Sequence, residues 1–303
     1  MKSDTQILNE ISESSPYLHK LSDQESKDLK KMLLIMYQDL ATVCQTHDLK
    51  FMLGGGSCLG AVRHKGYIPW DDDLDLMMPR EDYEKLIVLL RQGALGDKYE
   101  INHPSKGEDC KNTFLKIYRK DTLDNELYND NTPFPKGVFI DIFPMDSAPG
   151  NKVIQKVKGA ISDLMMVIST CVLYAQYPSK KYREFVSSDP STLKRYRIRM
   201  LIGNLFKIIP HKKWVYWFDR FNASSKNTGF TTIPTGRKHY VGEIQKTEVF
   251  LPIKYMEFEG IMSPVPADTH SYLSSLYGDY MKLPPEDKRE RHFVYQFKCE
   301  LPE

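Results

Sequence analysis

The stretch from Gly54 to Leu76 reads GGGSCLGAVRHKGYIPWDDDLDL, and its two halves decide the fold. The first half is a glycine-rich turn. It follows Phe51-Met52-Leu53, which reads as a short strand, and it leads into a helix expected over Ser57–Arg63. Glycines let backbone approach a bound group closely, and a helix N-terminus offers free N–H groups with a favourable dipole. The Ser57 hydroxyl adds a donor. Gly55, Gly56 and Ser57 are therefore candidates for holding a phosphate. Such turns also serve chain geometry alone, and the motif by itself does not separate the two uses.

The second half is Asp71-Asp72-Asp73-Leu74-Asp75. Strand periodicity over Leu74–Met78 sends Asp73 and Asp75 to one face, with Leu74 and Leu76 on the other. Carboxylates that close repel each other. A divalent cation between them offsets the cost, and hard oxygen ligands suit Mg2+ (or Mn2+). An acidic run is more often a solvated loop, but the apolar alternation and the upstream Trp70 argue for a packed strand edge. Asp71 shares the parity of the pair and reads as a supporting partner.

A third acid stands alone in Gly137-Val-Phe-Ile-Asp141-Ile-Phe-Pro. A charge inside an apolar, β-prone run is rarely left unpaired. If that strand lies beside the Asp73/Asp75 strand, three carboxylates converge on one or two metals, and one of them is free to accept a proton from an attacking hydroxyl. The alternative is an aspartate that caps a neighbouring element.

Outward from this centre the chain alternates strands and helices. Ser22-Asp-Gln-Glu25 is a capping box before a long helix through DLKKMLLIMYQDLATVCQTH. Pro79 ends the acidic strand, and REDYEKLIVLLRQ starts an amphipathic helix. Strands are expected at Tyr99–His103, Phe114–Arg119 and Val138–Phe143. PMDSAPG, Pro144–Gly150, marks the start of an insert. Lys254–Pro264 reads as a hairpin around Glu259-Gly260, and Thr269–Tyr277 as a short helix. The fold class is α/β (α+β): a mixed sheet flanked by helices, with a basic helical insert. Three segments follow: 1–150 as the catalytic core with its N-terminal helix, 151–230 as the insert, and 231–303 as a segment that completes the body.

Charge sets the insert apart. Asn151 to Lys226 holds fifteen Lys or Arg against four Asp or Glu, about +11, while the rest carries 27 basic and 36 acidic residues, about −9. Lys194-Arg-Tyr-Arg-Ile-Arg199 and Lys212-Lys213-Trp-Val-Tyr-Trp-Phe218 mix cations with aromatics. That composition suits an anionic membrane surface; nucleic acid is the formal alternative, and a solvated basic face the plainest one. The longest apolar stretch, Gly159–Ala175, is shorter than the roughly 20 residues of a spanning helix and carries Asp163, so it reads as a buried core helix. The five cysteines contain no CxxC pair, which points away from disulfide and zinc frameworks and toward a reducing compartment. The polar N-terminus, MKSDTQILNEISESS, has no apolar signal core.

The order of these parts, a Gly-Gly-Ser turn, then a D-x-D strand, then one Asp on a later strand, resembles the nucleotidyltransferase fold. The longer string GGGSCLGAVRHKGYIPWDDDLDLMMPREDYEKL is similar to the signature of the LicD family, and FIDIFPMD and YGDYMKLPP also look like family segments. The resemblance spans roughly Lys50–Asp146 and part of Tyr255–Pro285; the basic insert is poorly matched. It implies transfer of phosphocholine from CDP-choline, or of another phosphoalcohol from a related CDP-alcohol donor, to a sugar hydroxyl of a lipid-linked glycan or teichoic acid precursor, with release of CMP. It implies that Asp73 and Asp75 bridge the metals and the donor diphosphate. Asp141 would bind a second metal and help deprotonate the acceptor, and Gly55, Gly56 and Ser57 would hold phosphate.

Arg63, His64 and Lys65 are further candidates to offset the diphosphate, each weighed against a solvated basic turn. In FLKIYRK, Lys116 and Arg119 cannot point the same way in a regular strand, and Lys116 is the better-matched phosphate ligand. A quaternary ammonium is held by aromatic faces, and Trp70, Tyr67, Tyr118, Tyr128 and Tyr277 lie near the motifs. Asp279 and His292 sit in a charged tail whose default is solvent. The expected location is cytoplasmic, peripheral at the inner face of the cell membrane.

Overall fold

The computed structural model describes residues 4–13, 15–289 and 292–302. Residues 1–3 and 14 of the polar N-terminus, and Glu290 and Arg291 of the charged tail, lie outside them. Helix α1 (Asp4–Glu13) precedes α2 (Asp23–Thr46). The capping box at the start of α2 is formed from both sides: Ser22 Oγ accepts from the Glu25 N–H, and Glu25 accepts from the Ser22 N–H at 2.8 Å. Such a cap contributes about 1 kcal/mol. Leu29, Met32, Leu33, Met36 and Leu40 repeat at helical spacing and are buried in the main core.

The body continues through β1 (Met52–Leu53), α3 (Gly55–His64), β2 (Asp75–Pro79), α4 (Arg80–Arg91), β3 (Tyr99–Asn102), β4 (Leu115–Arg119), β5 (Leu123–Glu126) and β6 (Phe139–Ser147). The sheet order is β1-β2-β6-β4-β3. Strands β2 and β6 are parallel, with Asp75 opposite Asp141, and the other pairings are antiparallel. The sheet is therefore mixed and flanked by helices, the fold class expected from the sequence. Strand β6 runs beyond the expected Phe143 as far as Ser147. Its far end is paired by β7 (Phe230–Thr232), with Asp146 opposite Thr232 and Ser147 opposite Thr231. Half of PMDSAPG is thus strand, stabilised by a partner more than eighty residues away, which no local pattern announces.

Between β6 and β7 lie α5 (Lys152–Gln176), α6 (Lys180–Val186), α7 (Pro190–Phe206) and α8 (His211–Asn222). Helix α8 is tied to the body by Arg80. Its Nε and Nη2 bind both oxygens of Asp146, at 2.7 and 2.8 Å, and its Nη1 binds Asp219 Oδ1 at 2.7 Å. Helix α5 departs from the expected core helix. It buries Ile168, Cys171 and Val172 but leaves Ile154, Val157, Ile161 and Leu164 exposed. It is also the one helix among the described residues long and apolar enough to cross a membrane, with 44% of that window buried in the protein.

After β7 come α9 (His239–Gly242), β8 (Gln245–Lys246), β9 (Lys254–Phe258), β10 (Ile261–Val265), α10 (Thr269–Tyr277) and β11 (Val294–Lys298). Strands β9 and β10 form the expected hairpin, with Glu259 and Gly260 both at positive φ. Phe250, Phe258, Val265 and Leu273 complete the main core. Strand β11 pairs with β5 and carries the C-terminal segment back over the catalytic end. A smaller cluster of Leu127, Phe185 and Val186 joins β11, α1 and the insert.

Candidate active site

Helix α3 starts at Gly55, two residues before the sequence suggests, with Gly54 at its N-cap. The Gly54 N–H donates to the Asp75 carbonyl at 2.9 Å. This brings the helix start against the acidic strand. Gly55 has φ +43°, and a Cβ there would lie 3.2 Å from Asp75 Oδ2; a Cβ on Gly56 would lie 2.9 Å from Asp71 Oδ2. The glycines leave room for carboxylates at the positive end of the helix. Ser57 is buried, and its Oγ accepts from the Asp75 N–H at 2.9 Å. It fixes the acid's backbone instead of facing the cavity, which Gly55 and Gly56 do line. The Gly55 N–H donates to the Tyr272 hydroxyl at 2.9 Å.

Asp71, Asp72, Asp73 and Asp75 all line one cavity of about 760 Å³. His292 reaches them from the C-terminal segment. Its Nδ1 lies 2.8 Å from Asp72 Oδ1, its backbone N–H donates to Asp72 Oδ2 at 3.2 Å, and its Nε2 lies 4.0 Å from Asp73 Oδ2. Among the described residues, Asp72, Asp73 and His292 bring ligand atoms within 4.8 Å of one another. Asp141 is placed differently from its neighbours. It stands beside Asp75 in register, is buried, and does not line the cavity. Lys116, opposite it on β4, puts Nζ 2.8 Å from Asp141 Oδ1 and 3.3 Å from the Phe139 ring centroid. Lys116 is thus the counter-charge of an acid and stands away from the cavity. Arg119 points elsewhere and binds Asp121.

The electrostatics follow from crowding. Burial, then the charges of Asp73 and Asp72, push the Asp71 carboxyl up to about 8. Burial drives Asp73 up to about 6, with His292 opposing, and holds Asp75 well above the carboxylate range with help from Asp73 and Asp141. Burial works against a charged His292, but Asp72 and Asp73 outweigh it and hold the imidazole well above its usual value. Five acids thus share His292 and Lys116, with Lys30 and Arg63 also acting on Asp71. A net negative cluster of this kind, chiefly carboxylate oxygens with the His292 imidazole beside Asp72 and Asp73, offers donors that fit a divalent cation.

The cavity's other wall is basic. Arg63, Arg237, Lys282, Lys288 and Arg289 line it. Arg63 donates to the Tyr280 carbonyl at 2.8 Å and to His64 Nε2 at 2.9 Å. The Arg289 guanidinium lies 4.2 Å from the Trp70 ring centroid and that of Arg63 5.9 Å; Arg237 lies 5.1 Å from the Tyr277 ring. Both rings line the cavity, whereas Tyr67 and Tyr118 are buried away from it and Tyr128 packs under Lys111. His64 sits behind Arg63, outside the cavity wall, its pKa lowered by burial and by Arg63. Lys65 caps α3 with φ +57° and turns outward to Glu257, 3.4 Å away.

Asp279 and His292, which sequence leaves in a solvated tail, both line the cavity. Sequence reading misses Arg237, Glu243, Tyr272 and Tyr280 there, and Lys282, Lys288 and Arg289 beside them. The cationic tail was the available signal for the last three. Arg237 and Glu243 stand in TGRKHYVGE, which carries no pattern of its own.

A glycine-started helix beside an acidic strand of a mixed sheet thus faces a basic wall across one cavity. Residues 48–159 match the family described as LicD/FKTN/FKRP, nucleotidyltransferase domain. The chain is 28% identical to the lipopolysaccharide cholinephosphotransferase LicD of Haemophilus influenzae, over 84% of this chain and 90% of that protein. Shorter matches join it to uncharacterised proteins of Rickettsia typhi, 29% identical over 41% of this chain and 43% of the relative, and of Rickettsia prowazekii, 36% identical over 32% and 39%. The chain is thus similar to the LicD family over residues 48–159 and to a transferase along most of its length.

Proposed function

We propose that this enzyme moves phosphocholine from CDP-choline to a sugar hydroxyl of a cell-surface glycan or teichoic acid precursor and releases CMP. The acceptor oxygen forms a bond to the phosphorus of the headgroup phosphate, the bond from that phosphorus to the bridging oxygen of CMP breaks, and the hydroxyl proton passes to a carboxylate of the cluster. The observation that carries this reading is the division of one cavity into an acidic floor, Asp71 to Asp75, and a cationic wall, Arg63, Arg237, Lys282, Lys288 and Arg289. A diphosphate needs both: cations for its oxygens, and acids for the metal that accompanies it.

Asp73 and Asp75 would hold Mg2+ or Mn2+, with Asp141 behind them in register and Lys116 as its counter-charge. When bound, the ion supplies charge neutralisation at the phosphate and the leaving group. The residues of the chain do the rest. Gly55 and Gly56 let the phosphate approach the helix start, Ser57 fixes Asp75, and His292 holds Asp72 and Asp73 in place. The donor is cytosolic in this scheme, and the acceptor is lipid-linked and presented at the inner membrane face.

A second headgroup reading rests on one observation. Two of the cavity's aromatics, Trp70 and Tyr277, already carry guanidinium groups over their rings. A polyol phosphate such as ribitol or glycerol phosphate would bind these cations by hydrogen bonds and needs no aromatic cage. The test is CMP release from CDP-choline, CDP-ribitol and CDP-glycerol in magnesium, with and without a glycan acceptor. Turnover of CDP-choline alone supports the main reading. Turnover of a polyol donor without CDP-choline replaces the headgroup. No release from any donor, with polyanion binding intact in Asp73→Asn, would make the chain a non-catalytic polyanion-binding module.

A further inference from the structure

We propose that the exposed face of helices α5 and α7 is a docking surface for an anionic phospholipid bilayer, on which the protein lies by inserting apolar side chains. Ile154, Val157, Ile161 and Leu164 recur at steps of three and four on α5 and are all exposed. Ile198, Leu201, Leu205 and Ile208 repeat the same spacing along α7 and just past its end, with Leu201 and Leu205 72% exposed and Ile208 88%. The two helices pack directly together: Gly203 sits so close to α5 that a Cβ there would fall 2.0 Å from the Cys171 carbonyl oxygen. Two neighbouring helices therefore each turn an apolar stripe to solvent, where a surface helix ordinarily carries polar residues.

Charge decides the occupant. Lys152, Lys156, Arg197, Lys207 and Lys213 are exposed on the same helices and α8, and the insert as a whole carries about +11 against about −9 for the rest of the chain. A second copy would bring these like charges together, whereas an anionic lipid surface attracts each of them by about 1 kcal/mol. Helix α5 lies along such a surface and does not cross it. Its opposite face is packed into the protein through Gly159 and Ser162, its C-terminal half is buried through Ile168, Cys171 and Val172, and Lys158 is held by Ser224 Oγ and Ser225 Oγ at 3.0 and 2.7 Å. Apolar stripes flanked by Lys and Arg are the pattern of helices that sit in the headgroup boundary.

This assigns residues to the peripheral placement proposed above, and it can fail without touching the transfer reaction. The test is co-sedimentation of the full chain with phosphatidylcholine vesicles and with vesicles containing phosphatidylglycerol. Binding is expected to the anionic vesicles, and it weakens as salt shortens the reach of the cations. The triple variant Leu201→Ser/Leu205→Ser/Ile208→Ser should bind at least about tenfold more weakly, with CMP release from a soluble donor and acceptor unchanged. Lys207→Glu/Lys213→Glu, which leaves the apolar stripe intact, should lose the preference for anionic vesicles. The proposal is overturned if wild type ignores anionic vesicles or if the triple variant binds as wild type does. It is equally overturned if the protein is a dimer in solution that the triple variant dissociates, since a second copy would then cover the face.

Discussion

The two ends of β2 each carry a charge cluster, and the two are built on opposite rules. At the far end Arg80 meets Asp146 on β6 and Asp219 on α8, and Arg220 adds a contact to Glu84 and another to Asp219. Two guanidinium groups serve three carboxylates there, with forked hydrogen bonds, and Asp146 and Asp219 are almost fully buried. At the near end, four residue steps and roughly 13 Å away, Asp75 faces Asp141, and Asp71, Asp72 and Asp73 crowd beside them. Asp71, Asp72, Asp73 and Asp75 are only half-buried on the cavity wall, so depth of burial does not mark the functional end. The difference is counter-charge. Arg80 and Arg220 answer the far cluster, whereas the near one holds more acids than close cations, and that surplus is what favours the metal-binding reading proposed above.

The sharpest way to break this comparison is to remove one charge from each end. Asp73→Asn should lower CMP release by about two to three orders of magnitude, while its thermal midpoint holds or rises because repulsion is relieved. If stability fell instead, the acids would be structural. Arg80→Ala should do the reverse in kind, costing about 3–5 kcal/mol of stability by leaving Asp146 and Asp219 buried without their partner, read by urea or thermal unfolding. A third measurement adds the cation itself. Magnesium or manganese at a hundred times its Kd should stabilise wild type by about 2.7 kcal/mol and do nothing for Asp73→Asn, and Arg80→Ala should keep the response.

A smaller effect comes from a charge the insert refuses. His211 is buried at the start of α8, and burial lowers its pKa from 6.5 to about 4. In that window the unfolded chain binds the proton and the folded one does not, so stability falls as pH drops from 6.5 towards 4. Between about pH 6 and 5 the loss should be about 1 kcal/mol, and His211→Gln should flatten that slope.

What the sequence makes legible follows the range of the forces involved. Asp73 and Asp75 stand out because a period of two and an apolar neighbour are local facts. So do the α2 capping box, the β9–β10 turn and the bounds of α10. The start of α3 was set two residues late because the glycines there have no side chain to show that they are helical. His292 is a different case: it meets Asp72 across 220 residues, and only the pairing of β11 with β5 brings it there. Lys116 carried a phosphate-binding expectation, yet its cross-strand partner Asp141 takes its charge. The sequence reads α5 as core because its average apolarity hides a difference along its length: the stripe open at Ile154, Val157, Ile161 and Leu164 is packed at Ile168, Cys171 and Val172.

The pairing of β6 with β7 has a consequence for how this protein can change over generations. Ser147 and Thr231 stand side by side, and the Ala148 N–H donates to the Phe230 carbonyl at 2.8 Å. The chain therefore leaves the sheet for α5–α8 and returns to it at a single point. Such an arrangement is a natural graft site: a different set of helices can be exchanged between the same two strands without altering the register that places Asp75 beside Asp141. Among the stitches to be re-sewn are Arg80, whose bond to Asp146 stays with the body while its bond to Asp219 leaves with the helices, the pair Arg220–Glu84, and the packing of Leu127 against Phe185 and Val186. Catalysis and the choice of where the enzyme works can then diverge on separate clocks.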